Sequence, residues 1–111
     1  AHNVQIDEDS VVAAQTGISG STKIGKKVMI GGQTGIVGHI TIADGTKING
    51  QSGISKSITK PNSSLTGSPA TDFTSSLRSQ AALRRLPDLE KKVLELEKII
   101  SDLSQKNKQK Q

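Results

Sequence analysis

Two histidines and two regularly spaced glycines are the residues of this sequence best suited to chemistry. The histidines are His2 and His39, and Gly20 and Gly38 follow His2 at intervals of eighteen residues. An imidazole can accept a proton near neutral pH. A glycine lets a substrate approach a backbone N–H closely, as an oxyanion hole requires. Two ordinary surface histidines beside turn glycines would give the same residue types, so the elements that carry them decide between the two interpretations.

Composition favours a repeat architecture over a compact globular core. Only 32% of the 111 residues are hydrophobic, and Phe73 is the one aromatic residue. Aromatic side chains normally supply much of a globular core, whereas a repeat protein needs only a thin core in each layer. The absence of cysteine excludes disulfides and Cys-based metal sites. No apolar stretch approaches eighteen residues, which argues against membrane insertion.

The net charge of +5 does not by itself indicate nucleic-acid binding. The lysines and arginines are scattered along the chain, and no aromatic residues interleave with them as stacking platforms. A basic surface that meets an acidic protein or phosphate groups is a further interpretation, as is a plain solvated surface.

An aliphatic residue recurs at every sixth position from Ile6 to Ile54, without a miss. An α-helix has no period of six, whereas a chain that turns a corner every six residues does. A longer period of eighteen is also present, because the tetrapeptide at 15–18 recurs at 33–36 and 51–54 with one Thr-to-Ser change. The sequence therefore predicts an all-β solenoid over residues 1–59, in which three sides make one coil and the glutamines stack as a structural ladder.

The region after the solenoid changes from turn residues to helical periodicity. Residues 60–71 are rich in Pro, Gly and Ser and are predicted to form a turn-rich linker. Residues 72–104 are predicted to form two helices, the first capped by Thr71 or Asp72 and the second beginning at Pro87. A polar tail, expected to be frayed, covers 105–111. The second helix carries a heptad seam of Leu86, Leu89, Val93, Leu96, Ile100 and Leu103.

The hexapeptide pattern resembles that of the left-handed parallel β-helix family, whose known members are mostly trimeric acyltransferases. Within it, the sequence is similar to the UDP-3-O-(3-hydroxyacyl)glucosamine N-acyltransferase family over essentially its whole length. The resemblance implies a C-terminal fragment that lacks the uridine-binding N-terminal domain. The segments that carry the resemblance are Ala1-His2-Asn3-Val4, Ile30-Gly31-Gly32, Gly38-His39, Gly67-Ser68-Pro69-Ala70 and Leu83-Arg84-Arg85-Leu86-Pro87.

The resemblance implies a cytoplasmic homotrimer that acts in lipid A, and hence lipopolysaccharide, biosynthesis. His2 would take a proton from the 2-amino group of UDP-3-O-acylglucosamine as it attacks a 3-hydroxyacyl thioester on acyl carrier protein. The backbone N–H of Gly20 would stabilise the oxyanion, and His39 would support the site near the pantetheine arm. No metal or bound cofactor is implied, since the phosphopantetheine thioester is a co-substrate.

Further residues are weaker candidates for binding the substrate or the carrier protein. Gly38 and Lys56 continue the corner phase of Gly20, and Lys56 would meet a phosphate of the pantetheine arm unless it is simply solvated. Ser52 and Gly53 are small and would leave room for an acyl chain in a groove between subunits. On the helical extension, Arg78, Arg84 and Arg85 would face an acidic carrier protein, although helix solubility and salt bridges between subunits explain them equally well.

Three alternatives compete with this hypothesis. The O-acyltransferase that acts on UDP-N-acetylglucosamine in the same pathway also pairs a solenoid with C-terminal helices. A zinc carbonic anhydrase of the same fold would need three histidine ligands, and this chain offers His2 and His39 alone. A solenoid that serves only for trimerisation or surface binding would tolerate replacement of both histidines.

Overall fold

The computed structural model describes residues 1–109, which fall into two units with a border between Ser76 and Leu77. The first unit is a parallel β-solenoid and the second is helical. The predicted polar tail is helical up to Gln109, and its remaining two residues lie outside the described part.

Nine strands of two residues each build three coils of the solenoid. They pair in parallel into three sheets, with the orders β1-β4-β7, β2-β5-β8 and β3-β6-β9. Each core aliphatic pairs with the residue eighteen positions later, as Ile24 does with Ile42. The predicted solenoid and its three-sided coil are confirmed. The strands are β1 Gln5–Ile6, β2 Val11–Val12, β3 Gly17–Ile18, β4 Lys23–Ile24, β5 Met29–Ile30, β6 Gly35–Ile36, β7 Thr41–Ile42, β8 Lys47–Ile48 and β9 Gly53–Ile54.

The core of each coil contains a second class of residue besides the sixth-position aliphatics. The side chains two positions before them are also buried, and several of these are threonines. The Thr34 hydroxyl lies 2.8 Å from the Gly31 carbonyl oxygen and 3.3 Å from that of Asn49, so it bonds the corner of its own coil or of the next. These hydroxyls satisfy corner carbonyls that point inward. The buried residues of this class are Thr22, Val28, Thr34, Thr46 and Ser52.

Each regular corner contains one residue in the left-handed backbone region. Its φ is close to 60°, as at Gln33 (58°), and the position recurs every six residues up to Gln51. Gln33 Nε2 donates to Gln15 Oε1 at 2.8 Å, and Gln51 Nε2 donates to Gln33 Oε1 at 2.9 Å. The predicted glutamine ladder therefore exists as a chain of amide hydrogen bonds. The non-glycine corner residues are Asn3, Asp9, Gln15, Ser21, Lys27, Gln33, His39 and Gln51.

The six-residue spacing breaks after β9, yet the solenoid continues. Ile58 bridges to Ile42, sixteen residues earlier, and β10 (Ser64–Gly67) adds to β8 in parallel. A further strand, β11 (Ala70–Asp72), pairs antiparallel with β10. The segment 60–71, predicted to be a turn-rich linker, thus contains two strands. Leu65 packs against the core there, outside the hexad spacing and among serines and prolines, which is why the pattern missed it.

The C-terminal extension is a single helix, α1 (Phe73–Gln109). Its start was predicted correctly, because the Ser75 N–H donates to Asp72 Oδ2 at 3.2 Å, the contact expected of an N-cap. The prediction of two helices was wrong, since Pro87 lies inside α1. Proline costs about 3 kcal/mol in a helix interior, but strong helix formers flank it and no glycine precedes it to end a first helix. No helix in residues 1–109 is long and apolar enough to cross a membrane.

Candidate functional site

His2, Gly20 and Gly38 lie in successive coils along one edge of the solenoid. The Ser21 N–H donates to the His2 carbonyl at 2.9 Å, and the His39 N–H donates to the Gly20 carbonyl at 3.0 Å. These backbone bonds align the three coils at this edge. Both histidine side chains are exposed, so solvent and ligands can reach each imidazole.

The two histidines occupy neighbouring columns of this edge. His2 precedes the left-handed corner residue of its coil, whereas His39 is itself that residue, with φ 62°. Histidine is one of the few non-glycine types enriched in this conformation. Two coil spacings of about 4.8 Å separate their levels, so their backbones are roughly 10 Å apart along the edge.

The backbone of Gly20 is closely packed against the preceding coil, and its N–H group makes no hydrogen bond within residues 1–109. A Cβ added to Gly20 would lie 3.2 Å from the His2 carbonyl oxygen, and one added to Gly38 would lie 2.9 Å from that of Gly20. The N–H groups of Ser19 and Ser21 both donate within the coil stack. Within residues 1–109 the N–H between them, that of Gly20, has no acceptor. That donor is free to bind a negatively charged oxygen beside His2.

Lys56 lies at a corner that departs from the regular pattern. Ile58 occupies the next inward position only four residues after Ile54, instead of six. Ser57, directly after Lys56, is not in the left-handed region, and its Oγ accepts a hydrogen bond from the Thr41 N–H at 3.0 Å. Lys56 is exposed on this shortened corner, and the eighteen-residue register from Gly38 does not continue through it unchanged.

A shallow groove follows the sheet β3-β6-β9, next to the histidine edge. Gly17, Gly35 and Gly53 form its floor, and Ser68 and Pro69 line one end. Gly53, which was predicted to leave room for an acyl chain between subunits, lies on this floor, and a Cβ added to it would meet Ser68 Oγ at 2.9 Å. By contrast, Ser52 is 3% exposed and its hydroxyl donates to the Asn49 carbonyl at 2.6 Å, so it faces the core and does not line the groove.

Gly17 and Gly35 were not among the predicted site residues. A Cβ added to either would meet no atom within 4 Å, and neither has a positive φ. Packing within this chain therefore does not require glycine at these positions, and small size there leaves space for something outside the chain. The repeated tetrapeptide ending in Gly-Ile contained the signal, because the residue before each core aliphatic points out of the coil.

The arginines predicted to meet a carrier protein are exposed along α1. Arg78, Arg84 and Arg85 all lie in the helical unit, separate from the unit that holds the histidines. Their exposure is compatible with a protein partner and equally with a solvated helix surface.

Comparison with known proteins shows that the chain is similar to enzymes of one name, although no protein-family model matches it. The chain is 56% identical over 104 residues to UDP-3-O-acylglucosamine N-acyltransferase of Cytophaga hutchinsonii, covering 94% of the chain and 30% of that protein. The enzyme of the same name from Geobacter sp. strain M21 is 54% identical over 106 residues, covering 96% of the chain and 30% of that protein. That of Methylococcus capsulatus is 39% identical over 102 residues, covering 92% of the chain and 28% of that protein.

The chain is homologous to part of the UDP-3-O-acylglucosamine N-acyltransferases. It spans about 30% of the length of the relatives that it matches. The resemblance inferred from the hexads, the Ala-His-Asn corner and the helical extension is thereby confirmed. All three relatives are acyltransferases by name, which agrees with an enzyme of that class.

Proposed function

We propose that this chain carries the catalytic edge of an N-acyltransferase. The enzyme transfers a 3-hydroxyacyl chain from acyl carrier protein to the 2-amino group of UDP-3-O-acylglucosamine, a step of lipid A biosynthesis in the cytoplasm. The observation that supports this most directly is the exposed His2 beside the uncommitted N–H of Gly20, in a chain homologous to such enzymes.

His2 acts as the general base in this proposal. Its imidazole accepts a proton from the amine as the nitrogen attacks the thioester carbonyl carbon. The new C–N bond forms, the C–S bond then breaks, and the proton passes to the departing thiolate of the carrier. Exposure of His2 at a corner allows both substrates to reach it.

Attack of the amine on the thioester forms a tetrahedral intermediate, and the Gly20 N–H stabilises its oxyanion. It lies one coil from His2 and has no acceptor within residues 1–109. Because the N–H belongs to a hydrogen-bonded coil, it is oriented before the substrate arrives, which is the condition for efficient electrostatic stabilisation.

The remaining residues bind the two substrates. The acyl chain lies in the groove over Gly17 and Gly35, where the missing side chains leave room, and reaches the Ser68 side chain beside Gly53. His39 and Lys56 contact the pantetheine arm, Lys56 through a phosphate, and Gly38 lets the arm pass close to the backbone. The helical arginines attract the acidic carrier protein.

The active form in this proposal is a homotrimer. A groove with one open side becomes a closed site when a neighbouring copy covers it, and cyclic assembly supplies that neighbour at every site. No metal or resident cofactor takes part, since the reacting thioester arrives on the carrier.

Acyl transfer by the complete gene product that contains this chain tests the proposal. The substrates are 3-hydroxyacyl carrier protein and UDP-3-O-acylglucosamine, and the diacylated product is detected by mass spectrometry. We expect His2→Ala to lower the rate about 10²–10⁴-fold, the usual contribution of a positioned base, with the trimer intact. Robust activity of this variant would show that His2 is not the general base, while the assignment of the enzyme activity would stand.

The oxyanion assignment has its own matched control. A Cβ at Gly20 would lie 3.2 Å from the His2 carbonyl oxygen, and a Cβ at Gly32 would lie 3.2 Å from that of Ala14, at another edge. Gly20→Ala and Gly32→Ala should therefore cost similar stability. We expect only Gly20→Ala to reduce the rate, by about 10²-fold, because its methyl group blocks approach to the N–H. Equal rates for the two variants would rule out the assignment.

The same assay separates the competing functions. Acylation of UDP-N-acetylglucosamine in place of the amine substrate would identify the O-acyltransferase. A folded trimer that binds no carrier protein and acylates neither sugar would favour a purely structural solenoid.

A further inference from the structure

Ser19 lies between the floor of the groove and the N–H group that we assign to the oxyanion. It follows the core residue Ile18, directly precedes Gly20, and has an exposed side chain. Together with Gly17 it lines the groove beside the histidine edge. An acyl chain that runs from Gly20 into the groove over Gly17 therefore passes Ser19 with its first few carbon atoms.

The backbone of Ser19 is fully hydrogen-bonded, whereas its hydroxyl is not. The N–H donates to the Ile36 carbonyl at 3.0 Å, and the carbonyl accepts a hydrogen bond from the Thr22 hydroxyl at 2.9 Å. Within residues 1–109 the Ser19 hydroxyl has no hydrogen-bond partner. A serine hydroxyl can both donate and accept a hydrogen bond. The residue is thus held in place by its backbone, and its side chain is available to a ligand in the groove.

Gly38, in the next coil, leaves the space beside this side chain open. A Cβ added to Gly38 would lie 3.5 Å from the Cβ of Ser19 and 2.9 Å from the Gly20 carbonyl oxygen. The Ser19 side chain and the Gly20 backbone therefore border the same space, which a side chain at position 38 would fill. A thioester bound at the Gly20 N–H has the Ser19 hydroxyl within its immediate surroundings.

The equivalent positions of the other coils show how the groove changes along its length. Ala1 and Val37 lie eighteen residues before and after Ser19, and both also line the groove. Val37 presents an aliphatic side chain that is 43% exposed. Serine returns at this position at Ser55, two coils or about 10 Å from Ser19. A hydroxyl beside the reacting carbonyl is thus followed by an aliphatic surface, which is the order of groups in an acyl chain with a hydroxyl near its carboxyl end.

Ser21, on the other side of Gly20, is not in the path of the acyl chain. It is the left-handed corner residue of its coil, with φ 60°, and its N–H donates to the His2 carbonyl at 2.9 Å. It does not line the groove. Ser19 is therefore the serine on the groove side of the bound carbonyl.

The position of Ser19 fits a hydroxyl on carbon 3 of the acyl chain. Carbon 3 is two carbon–carbon bonds, of about 1.5 Å each, from the thioester carbonyl carbon, and the Cα atoms of Ser19 and Gly20 are about 3.8 Å apart. We propose that the Ser19 hydroxyl forms a hydrogen bond with the 3-hydroxyl of the donor and thereby selects 3-hydroxyacyl chains over plain acyl chains. This inference rests on the proposed function and adds a specificity-determining residue to it.

Matched donors test the proposal in the complete gene product that contains this chain. They are a 3-hydroxyacyl carrier protein and an acyl carrier protein of the same chain length, and the readout is the ratio of their two kcat/KM values. We expect Ser19→Ala to lower this ratio about 3–10-fold, the usual effect of one neutral hydrogen bond, and Ser19→Thr to retain most of it. Ser55→Ala removes the same hydroxyl two coils away and should leave the ratio as it is in the wild type.

The outcomes separate this inference from the proposed function. A wild-type ratio in Ser19→Ala, or a wild-type enzyme that uses both donors equally well, overturns selection by Ser19 and leaves acyl transfer standing. An equal loss on both donors also overturns it, because the side chain then supports the site without recognising the hydroxyl. If the wild type transfers neither chain, with its fold and substrates verified, the proposed function fails and the inference fails with it.

The two enantiomers of the 3-hydroxyacyl donor provide a second readout. They have the same length and polarity and differ only in the direction of the hydroxyl, so a directional hydrogen bond distinguishes them, whereas a merely polar groove does not. We expect the wild type to prefer one enantiomer, and Ser19→Ala to reduce that preference while Ser55→Ala retains it. An equal preference in Ser19→Ala and the wild type would contradict a contact between Ser19 and the 3-hydroxyl.

Discussion

The two units of this chain stabilise themselves in opposite ways. The solenoid buries its aliphatics within its own coils, so that Ile42 is 0% exposed and Ile30 is 3% exposed. In α1, from Leu77 onward, no residue up to Gln109 is buried. The solenoid thus contains its own core, whereas the apolar residues of the helix are exposed.

This difference follows from how each element satisfies its backbone. A two-residue strand has no internal hydrogen bonds, so the coil must stack on another coil, and stacking encloses the inward side chains. A helix satisfies its backbone within itself and gains most of its stability only when its apolar face packs against another surface. The histidine edge that we propose to be catalytic therefore belongs to the unit with its own core, whereas the apolar face of the helix is exposed.

The largest effect is expected where the solenoid core is fully enclosed. Ile42→Ala should lower the free energy of unfolding by about 2–5 kcal/mol, because it removes a buried side chain and leaves a cavity. Val37→Ala is the control, since Val37 is an aliphatic residue in the middle of the same stack but is 43% exposed. Denaturant unfolding followed by circular dichroism measures both. Similar losses for the two variants would contradict the view that stacking creates the core.

A smaller effect, visible only on assembly, is expected in the helix. Leu96→Asp introduces a charge at a leucine of the heptad seam, and burial of such a side chain in the proposed trimer would be worth about 1.5–3 kcal/mol. Leu94→Asp is the control, because Leu94 is 59% exposed, against 57% for Leu96, but does not belong to the seam. We expect sedimentation to show weaker association for Leu96→Asp alone. If both variants assembled like the wild type, the seam would not be a contact surface.

The solenoid was predictable because its signal repeats in every coil. Nine aliphatics at one spacing identify the coil, and the eighteen-residue period is enough to place His2, Gly20 and Gly38 on one edge. The features that were missed are those that occur once. The shortened corner at Lys56 and the inward Leu65 both break the period, so periodicity could not find them.

Two further errors came from treating single residues as if their type decided their environment. Pro87 was taken as a helix boundary, but one missing hydrogen bond does not outweigh strong helix formers on both sides. Ser52 was placed in the groove because it is small, although it has the same phase as the inward Thr34 and is buried like it. In both cases the register of the residue was more informative than its identity.

The smallest of the three effects concerns this second inward position. Thr34→Val keeps the shape of a fully buried side chain but removes a hydroxyl that lies 2.8 Å from the Gly31 carbonyl oxygen. We expect a loss of about 1–2 kcal/mol in unfolding free energy, because the Gly31 carbonyl loses the shorter of its two hydroxyl contacts. Thr34→Ser keeps the hydroxyl and loses only a methyl group, so it separates the two contributions. If valine proved as stable as threonine, the inward carbonyls would not need the hydroxyl.

Val28 has the same phase and no hydroxyl, and its corner is arranged differently. The Val28 N–H donates to Ser10 Oγ at 3.1 Å, and the Ser10 hydroxyl donates to the Gly25 carbonyl at 2.7 Å. The Ser10 hydroxyl, from the preceding coil, thus provides the hydrogen bond to the corner carbonyl before Val28. At the corner before Thr34, the Thr16 hydroxyl lies 3.1 Å from the same Gly31 carbonyl oxygen, so the cost of Thr34→Val measures how far one hydroxyl can replace the other.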